Sequence, residues 1–193
     1  MQGYYGKAKE NVSLNEKSVK ELITCTGENP NRQGLKKTPQ RFISAWNYIT
    51  SGYKKNAKQV VNGALFDAED SSMVIVKDID FFSTCEHHLL PFFGKIHVAY
   101  IPDEKIIGLS KIPRIVEVFS RRLQVQERMC SQIMSALDEI LKPKGVAVVA
   151  EGIHTCMVIR GVEKVNSKTV TSSMTGIFLK NQRTRKEFLS LIK

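Results

Sequence analysis

The sequence predicts an α+β fold with a mostly antiparallel sheet, helices at both flanks and a helical N-terminal appendage. Three observations carry that expectation. Two neighbouring runs, "MVIVKDIDFFS" from Met73 and "FFGKIHVAYIP" from Phe92, are rich in β-branched and aromatic residues. Two helical patterns follow them. Strand chemistry then returns in "GVAVVAEGIHTCMVIRG" and "KTVTSSMTGIFL". The resulting order, β-β-α-α-β-β, lacks the regular strand and helix alternation that a parallel sheet needs.

The elements follow in chain order. "SLNEKSVKELITCTG" places Ser13 and Glu16 at capping-box spacing, runs Leu14, Val19, Leu22 and Ile23 along one helical stripe, and stops near Gly27. "ENPNRQGLKKTP" is a connection punctuated by Pro and Gly. Thr38 before Pro39 marks the start of a second helix through "QRFISAWNYITSGY". After the first two strands, "LSKIPRIVEVFSRRL" reads as a helix from about Ser110. "QVQERMCSQIMSALDEILKP" is a longer one, with Val125, Met129, Ile133, Leu137 and Ile140 at helical spacing and Pro143 as its stop. "QRTRKEFLSLIK" closes the chain as a helix. The expected division is a helical region over 1–70 and an α+β domain over 71–193.

At 193 residues and 42% hydrophobic, the chain can bury one good core. No apolar run reaches the roughly 18 to 20 residues that cross a bilayer, and "MQGYYGKAKE" lacks the apolar centre of a signal peptide. The expectation is a cytoplasmic protein with no membrane partner. Four cysteines are too few for a disulfide scaffold. Cys25 and Cys130 read as small buried hydrophobes; Cys85 and Cys156 read as ligands or catalytic groups, with a disulfide between them as the rival. The net charge of +10 comes from 29 scattered Lys and Arg, with no dense block beyond "SRRLQ" and "NQRTRKE". Such a field suits a small triphosphate as well as a nucleic acid, or solubility alone.

"STCEHHLLPFFG", Ser83 to Gly94, sets a thiol, a carboxylate and two imidazoles side by side in Cys85, Glu86, His87 and His88. Apolar packing gains nothing from such groups and has to supply a partner for each. Cys85 and His88 have C-x-x-H spacing after a strand, a turn that lets both side chains meet one ion. Cys156 in "GIHTCMV" is the remaining sulfur near a histidine, and strand alternation sets His154, Cys156 and Arg160 on one face. Three protein ligands leave a fourth position for water, as in catalytic zinc sites, with His87 and His154 at hand as bases. His97 lies in a strand pattern and reads as a satisfied structural histidine; Glu86 reads as a solvated neighbour. Ser110, Lys111 and Arg114 sit at a helix start, where free N–H groups favour anions. Glu127 is about 200° from Val125 around its helix, facing solvent or a pocket between subunits.

In the order "GLKKTPQRF", "STCEHHLLPFFG", "HVAYIP", "IIGLSKIPRIVEVFSRRLQVQERM", "GVAVVAEGIHTCMVIRGV" and "TVTSSMTGIF", the chain from about Gly34 resembles GTP cyclohydrolase I. The first thirty or so residues do not carry the likeness clearly. The resemblance implies a tunnelling fold whose barrel is completed by oligomerisation, in a homodecamer of two stacked pentamers with shared active sites. It implies conversion of GTP and water to formate and 7,8-dihydroneopterin triphosphate, the first step of pterin and tetrahydrofolate biosynthesis. It makes Cys85, His88 and Cys156 ligands of Zn2+, His87 the proton donor to the purine, and His154 the second acid-base group. Glu127, with Gln126 beside it, would hold the guanine edge. Lys111, Arg114 and Arg160, joined by Arg41, would clamp the triphosphate, and Ser110 would lie near the rearranging sugar. The rivals are a nucleic-acid-binding module with structural zinc and a non-catalytic assembly subunit.

Overall fold

The structure, a computed structural model, describes residues 14–193. Ser13, expected to help open the first helix, lies outside the described residues. The chain divides into two compact units, Met1–Tyr48 and Ile49–Lys193, so residues 49–70 fall with the larger unit.

In the first unit α1 spans Glu16–Thr24, capped by Asn15, whose side chain accepts from the Ser18 N–H. Asn15 is extended, the geometry in which its carbonyl oxygen reaches a free first-turn amide. Val19 is buried and Ile23 half-buried, while Leu14 and Leu22 are exposed. Cys25 is exposed, contrary to expectation, because it is the C-cap where the chain turns off towards Gly27 at φ +85. α2 (Thr38–Ile49) carries Pro39 in its first turn, where the missing N–H has no helical partner to lose.

The larger unit opens with a 3-10 turn, Ser51–Lys54, where the sequence pattern carries the second helix on through Tyr53, then α3 (Ala57–Val61) and β1 (Leu65–Asp67), which the sequence patterns do not flag. β2 (Val74–Cys85) and β3 (Pro91–Ile101) follow, then β4 (Lys105–Ile107), α4 (Lys111–Ser120), β5 (Leu123–Gln124) and α5 (Gln126–Leu141). β6 (Gly145–His154), α6 (Thr155–Val158), β7 (Thr169–Met174), α7 (Gly176–Lys180) and α8 (Gln182–Leu191) complete the chain. The main sheet has the order β5-β2-β3-β6-β7, antiparallel except where β5 runs parallel to β2; β1 and β4 form a separate pair. This is the expected α+β class.

Period-2 alternation splits the sheet's side chains between two cores. Phe81, Ile96, Val98 and Val148 belong to the larger one with Ile112, Ile115 and Val116 of α4 and Met129, Ile133 and Leu137 of α5. Each such fully buried side chain stabilises by about 1.5 to 3 kcal/mol before entropy is counted. Ala99, Ile101, Ala147 and Val149 belong to a second cluster with Phe178 of α7 and Phe188 of α8.

Two strands end earlier than their composition suggests. β6 stops at His154, whose partner Phe92 stands next to Pro91, the first residue of β3. Pro91 has no N–H for the ladder, and the Thr155 hydroxyl donates to its carbonyl at 2.6 Å, so the chain coils into α6. Cys156 and Arg160 therefore do not share a strand face with His154. β7 stops at Met174 because Gly176, at φ +55, turns the chain where a Cβ would lie 2.1 Å from the Lys144 carbonyl oxygen. His97 is buried and accepts the Asp78 N–H at Nδ1, 3.2 Å away, which closes the bulge between Val76 and Ile79.

Candidate functional site

Cys85 ends β2, and the turn after it is closed by two backbone bonds of 2.8 Å, Cys85 N–H to the Leu90 carbonyl and Leu89 N–H to the Cys85 carbonyl. Leu89 takes φ +55, a left-handed conformation that costs a branched residue about 1 to 2 kcal/mol. That reversal sends the chain into β3 and carries Glu86, His87 and His88 out at the sheet's edge. Glu86 is not merely solvated. Arg128 of α5 grips its carboxylate through both guanidinium nitrogens and also donates to Gln124 Oε1 at 3.0 Å and the Leu123 carbonyl at 3.2 Å. The Glu86 N–H in turn donates to the Gln124 carbonyl at 3.1 Å. The turn is thus fastened to β5 and α5, and the Arg128 bond holds the Glu86 carboxyl below the usual carboxylate range.

The one-turn helix α6 brings Cys156 to this turn. One ligand atom from each of Cys85, His88 and Cys156 lies within 4.8 Å of the others, and both cysteines are free thiols. Cys85 Sγ is 3.6 Å from His88 Nδ1. A thiolate and an imidazole nitrogen sharing a tetrahedral zinc would be roughly 3.6 Å apart, so the donor set fits that ion in type and spacing. Burial pushes the Cys156 thiol up, and the adjacent Cys85 adds to the rise while Arg160 opposes it. Two thiols crowded this way gain from a shared cation. His87 Nδ1 lies 3.9 Å from Cys85 Sγ, with its side chain largely exposed.

His154 stacks on Phe92, ring centroids 4.5 Å apart and planes within 6°. Its Nε2 is 3.0 Å from Gln126 Oε1, and burial lowers its pKa against the pull of the Glu127 carboxylate. Glu127 is exposed in the first turn of α5, as its angular position predicts. Gln126 is 1% exposed, and its amide bonds to Ala150, Thr169, Thr171 and His154. β6 and β7 surround the first residue of α5, so the side chain turns inward to satisfy them.

The remaining candidates lie on several elements. Lys111 and Arg114 line a cavity of about 510 Å³ at α3 and α4, with Lys55, Gln59, Asn62 and Glu117, and none of the Cys or His ligands is among its walls. Ser110 precedes α4 and makes no side-chain cap, so its hydroxyl is not spent on the helix. Arg160 is exposed beyond α6, within electrostatic reach of Cys156. Arg41 is exposed on α2 in the first unit.

Sequence reasoning misses Arg128, Phe92 and Gly152. A Cβ on Gly152 would lie 2.5 Å from Gln126 Oε1 and 3.2 Å from the Phe81 ring, so the bare backbone there is what admits the glutamine. No local pattern marks such a need, since the partners are distant in sequence.

The model of the family "GTP cyclohydrolase I" matches residues 15–193. That reaches back into α1, earlier than the motifs near Gly34 suggest. A protein of Campylobacter jejuni named GTP cyclohydrolase 1 is 58% identical over 177 residues, 92% of this chain and 93% of its own. One of the same name from Deinococcus radiodurans is 54% identical over 184 residues, 95% of this chain and 85% of its own. A solved apo structure of the archaeosine synthase QueF-like protein superposes with a TM-score of 0.46 at 15% identity, covering 56% of this chain and 97% of that one. With a family model spanning nearly the whole described chain and relatives at these identities, this chain belongs to the GTP cyclohydrolase I family.

Proposed function

We propose that this chain is a zinc-dependent enzyme that converts GTP and water to formate and 7,8-dihydroneopterin triphosphate, the entry to pterin and tetrahydrofolate synthesis. The observation that carries the reading is the convergence of Cys85, His88 and Cys156, three ligand atoms and no fourth among the described residues. A structural zinc module would need a closed shell of four. Zinc, when held there, supplies Lewis acidity that makes water an effective nucleophile near neutral pH.

The chain's own residues do the rest. Opening the imidazole of guanine at C8 needs a proton on the departing ring nitrogen, and His87, exposed beside Cys85, is the donor. His154 moves the second proton, next to the sugar. Glu127 accepts from the adjacent N–H groups of the guanine edge. Adenine offers no such pair, and a carboxylate left unpaired in a closed site costs several kcal/mol, on the order of 10⁴-fold in selectivity. Lys111, Arg114 and Arg160 hold the triphosphate, with Arg41 as a further cation and Ser110 near the rearranging sugar. Apart from Arg41, the proposed machinery lies in residues 71–193, and 1–70 is the mainly helical region that also carries β1.

Because the cavity at Lys111 and Arg114 excludes the metal ligands, a single chain divides the work between separate places. That supports active sites assembled by neighbouring subunits in a cytoplasmic homodecamer of two stacked pentamers. The direct test incubates purified protein with GTP and measures formate and the fluorescent oxidised pterin, with and without a chelator. Equimolar products that vanish on chelation are expected; GTP left intact by the zinc-loaded protein would overturn the reading.

A further inference from the structure

Gln126 and His154 fix each other through hydrogen bonds that admit one arrangement. The Gln126 Nε2 lies 3.2 Å from the Ala150 carbonyl, 2.9 Å from the Thr169 carbonyl and 3.1 Å from Thr171 Oγ1. Two of those three are carbonyl oxygens, which only accept, so the amide N–H2 has to face them and cannot be exchanged with its oxygen. The oxygen then faces His154 Nε2 at 3.0 Å. A carbonyl oxygen cannot donate, and so the hydrogen on that bond sits on Nε2. Stacking on Phe92 holds the ring plane, and the absence of a side chain at Gly152 leaves the space that Oε1 occupies.

We propose that Gln126 is a positioning residue that locks the neutral His154 ring in the Nε2–H form, with Nδ1 as the ring nitrogen that carries the free lone pair. The consequence for turnover rests on the acid-base role proposed for His154, whereas the tautomer itself does not. The same geometry makes Gln126 a link between the first turn of α5, β6, β7 and His154.

The test is solid-state NMR of the zinc-loaded enzyme carrying 15N-labelled histidine, in which only four histidines need assignment. His154 is assigned from its loss in His154→Asn. A protonated Nε2 and a bare Nδ1 are expected in the wild type; a protonated Nδ1 with bare Nε2 overturns the proposal whatever the protein's activity. Gln126→Met, close in shape but only a weak acceptor and no donor, should give a mixture of tautomers and lower kcat by about two powers of ten, with KM for GTP within a few-fold. Gly152→Ala displaces Oε1 without removing it and should give a milder form of both changes. If either variant folds, keeps a pure Nε2–H signal and turns over as wild type, Gln126 does not position His154. Because the spectrum is read without GTP, an enzyme that proved to act on another substrate would leave the tautomer result standing.

Discussion

At the scale of single residues, the ligand set makes the sharpest demands. His88→Ser and Cys156→Ser should each lose zinc and activity together, by at least about a thousandfold in turnover given what a metal contributes to the nucleophile. Metal analysis beside formate release checks this, and full turnover from a zinc-free variant would contradict it. Cys156 must shed its proton to bind, and burial with Cys85 alongside raises its pKa. Protons then compete with the ion, so zinc affinity should climb as pH rises through the neutral range, as competition with a chromophoric chelator can measure. His97 gives a sign of the other kind. Burial pushes its pKa below the ordinary histidine value, against the pull of Asp78. The unfolded chain therefore takes up the proton first, and the stability that neutral His97 contributes is present above about pH 6.5 and lost as the pH falls towards the folded value. Thermal melts at about pH 7 and about pH 5 should differ more for the wild type than for His97→Gln, which keeps an acceptor for the Asp78 N–H.

Among elements, the first turn of α5 governs the site. Three successive residues divide the work, with Gln126 turned in to β6 and β7, Glu127 turned out, and Arg128 reaching the turn after β2. Arg128→Leu should leave the fold intact and weaken zinc binding by roughly 10- to 100-fold, the usual effect of losing a group that orients ligands. Unchanged affinity would mean that the backbone bonds of residues 85–90 suffice. Between β3 and β6 the demand is purely steric. A Cβ on Gly94 would fall 1.9 Å from the Glu151 carbonyl oxygen. Gly94→Ala should therefore lower stability by about 1 to 3 kcal/mol through forced backbone shifts, read as a reduced denaturation midpoint.

On the scale of the whole molecule, the separation of the Lys111 and Arg114 cavity from the Cys and His cluster makes a prediction about assembly. Cys156→Ser and Arg114→Ala chains are each expected to be nearly inactive alone. Co-expressed in equal amounts, they should regain activity at about a quarter of the sites, those pairing an intact metal centre with an intact clamp from a neighbour in a closed ring. No recovery in a mixed oligomer would locate both halves in one chain. The net charge of +10 also bears on the whole particle. KM for GTP should rise with ionic strength as screening weakens the attraction of a basic surface for a triphosphate.

The sequence by itself determined the α+β order, the helices at α4, α5 and α8, and the candidate ligands Cys85 and His88, because these depend on periodicity and short spacing. It also pointed to Cys156, though by a strand alternation that β6 does not sustain. The tertiary structure decided what rests on partners far apart in the chain. It ended β6 at the residue facing Pro91's neighbour and folded α6 to deliver Cys156, exposed Cys25, turned Gln126 away from solvent, and joined Arg128 to Glu86. A local pattern records which face of an element is apolar, but a hydrogen bond between side chains forty residues apart exists only once packing has brought their elements together.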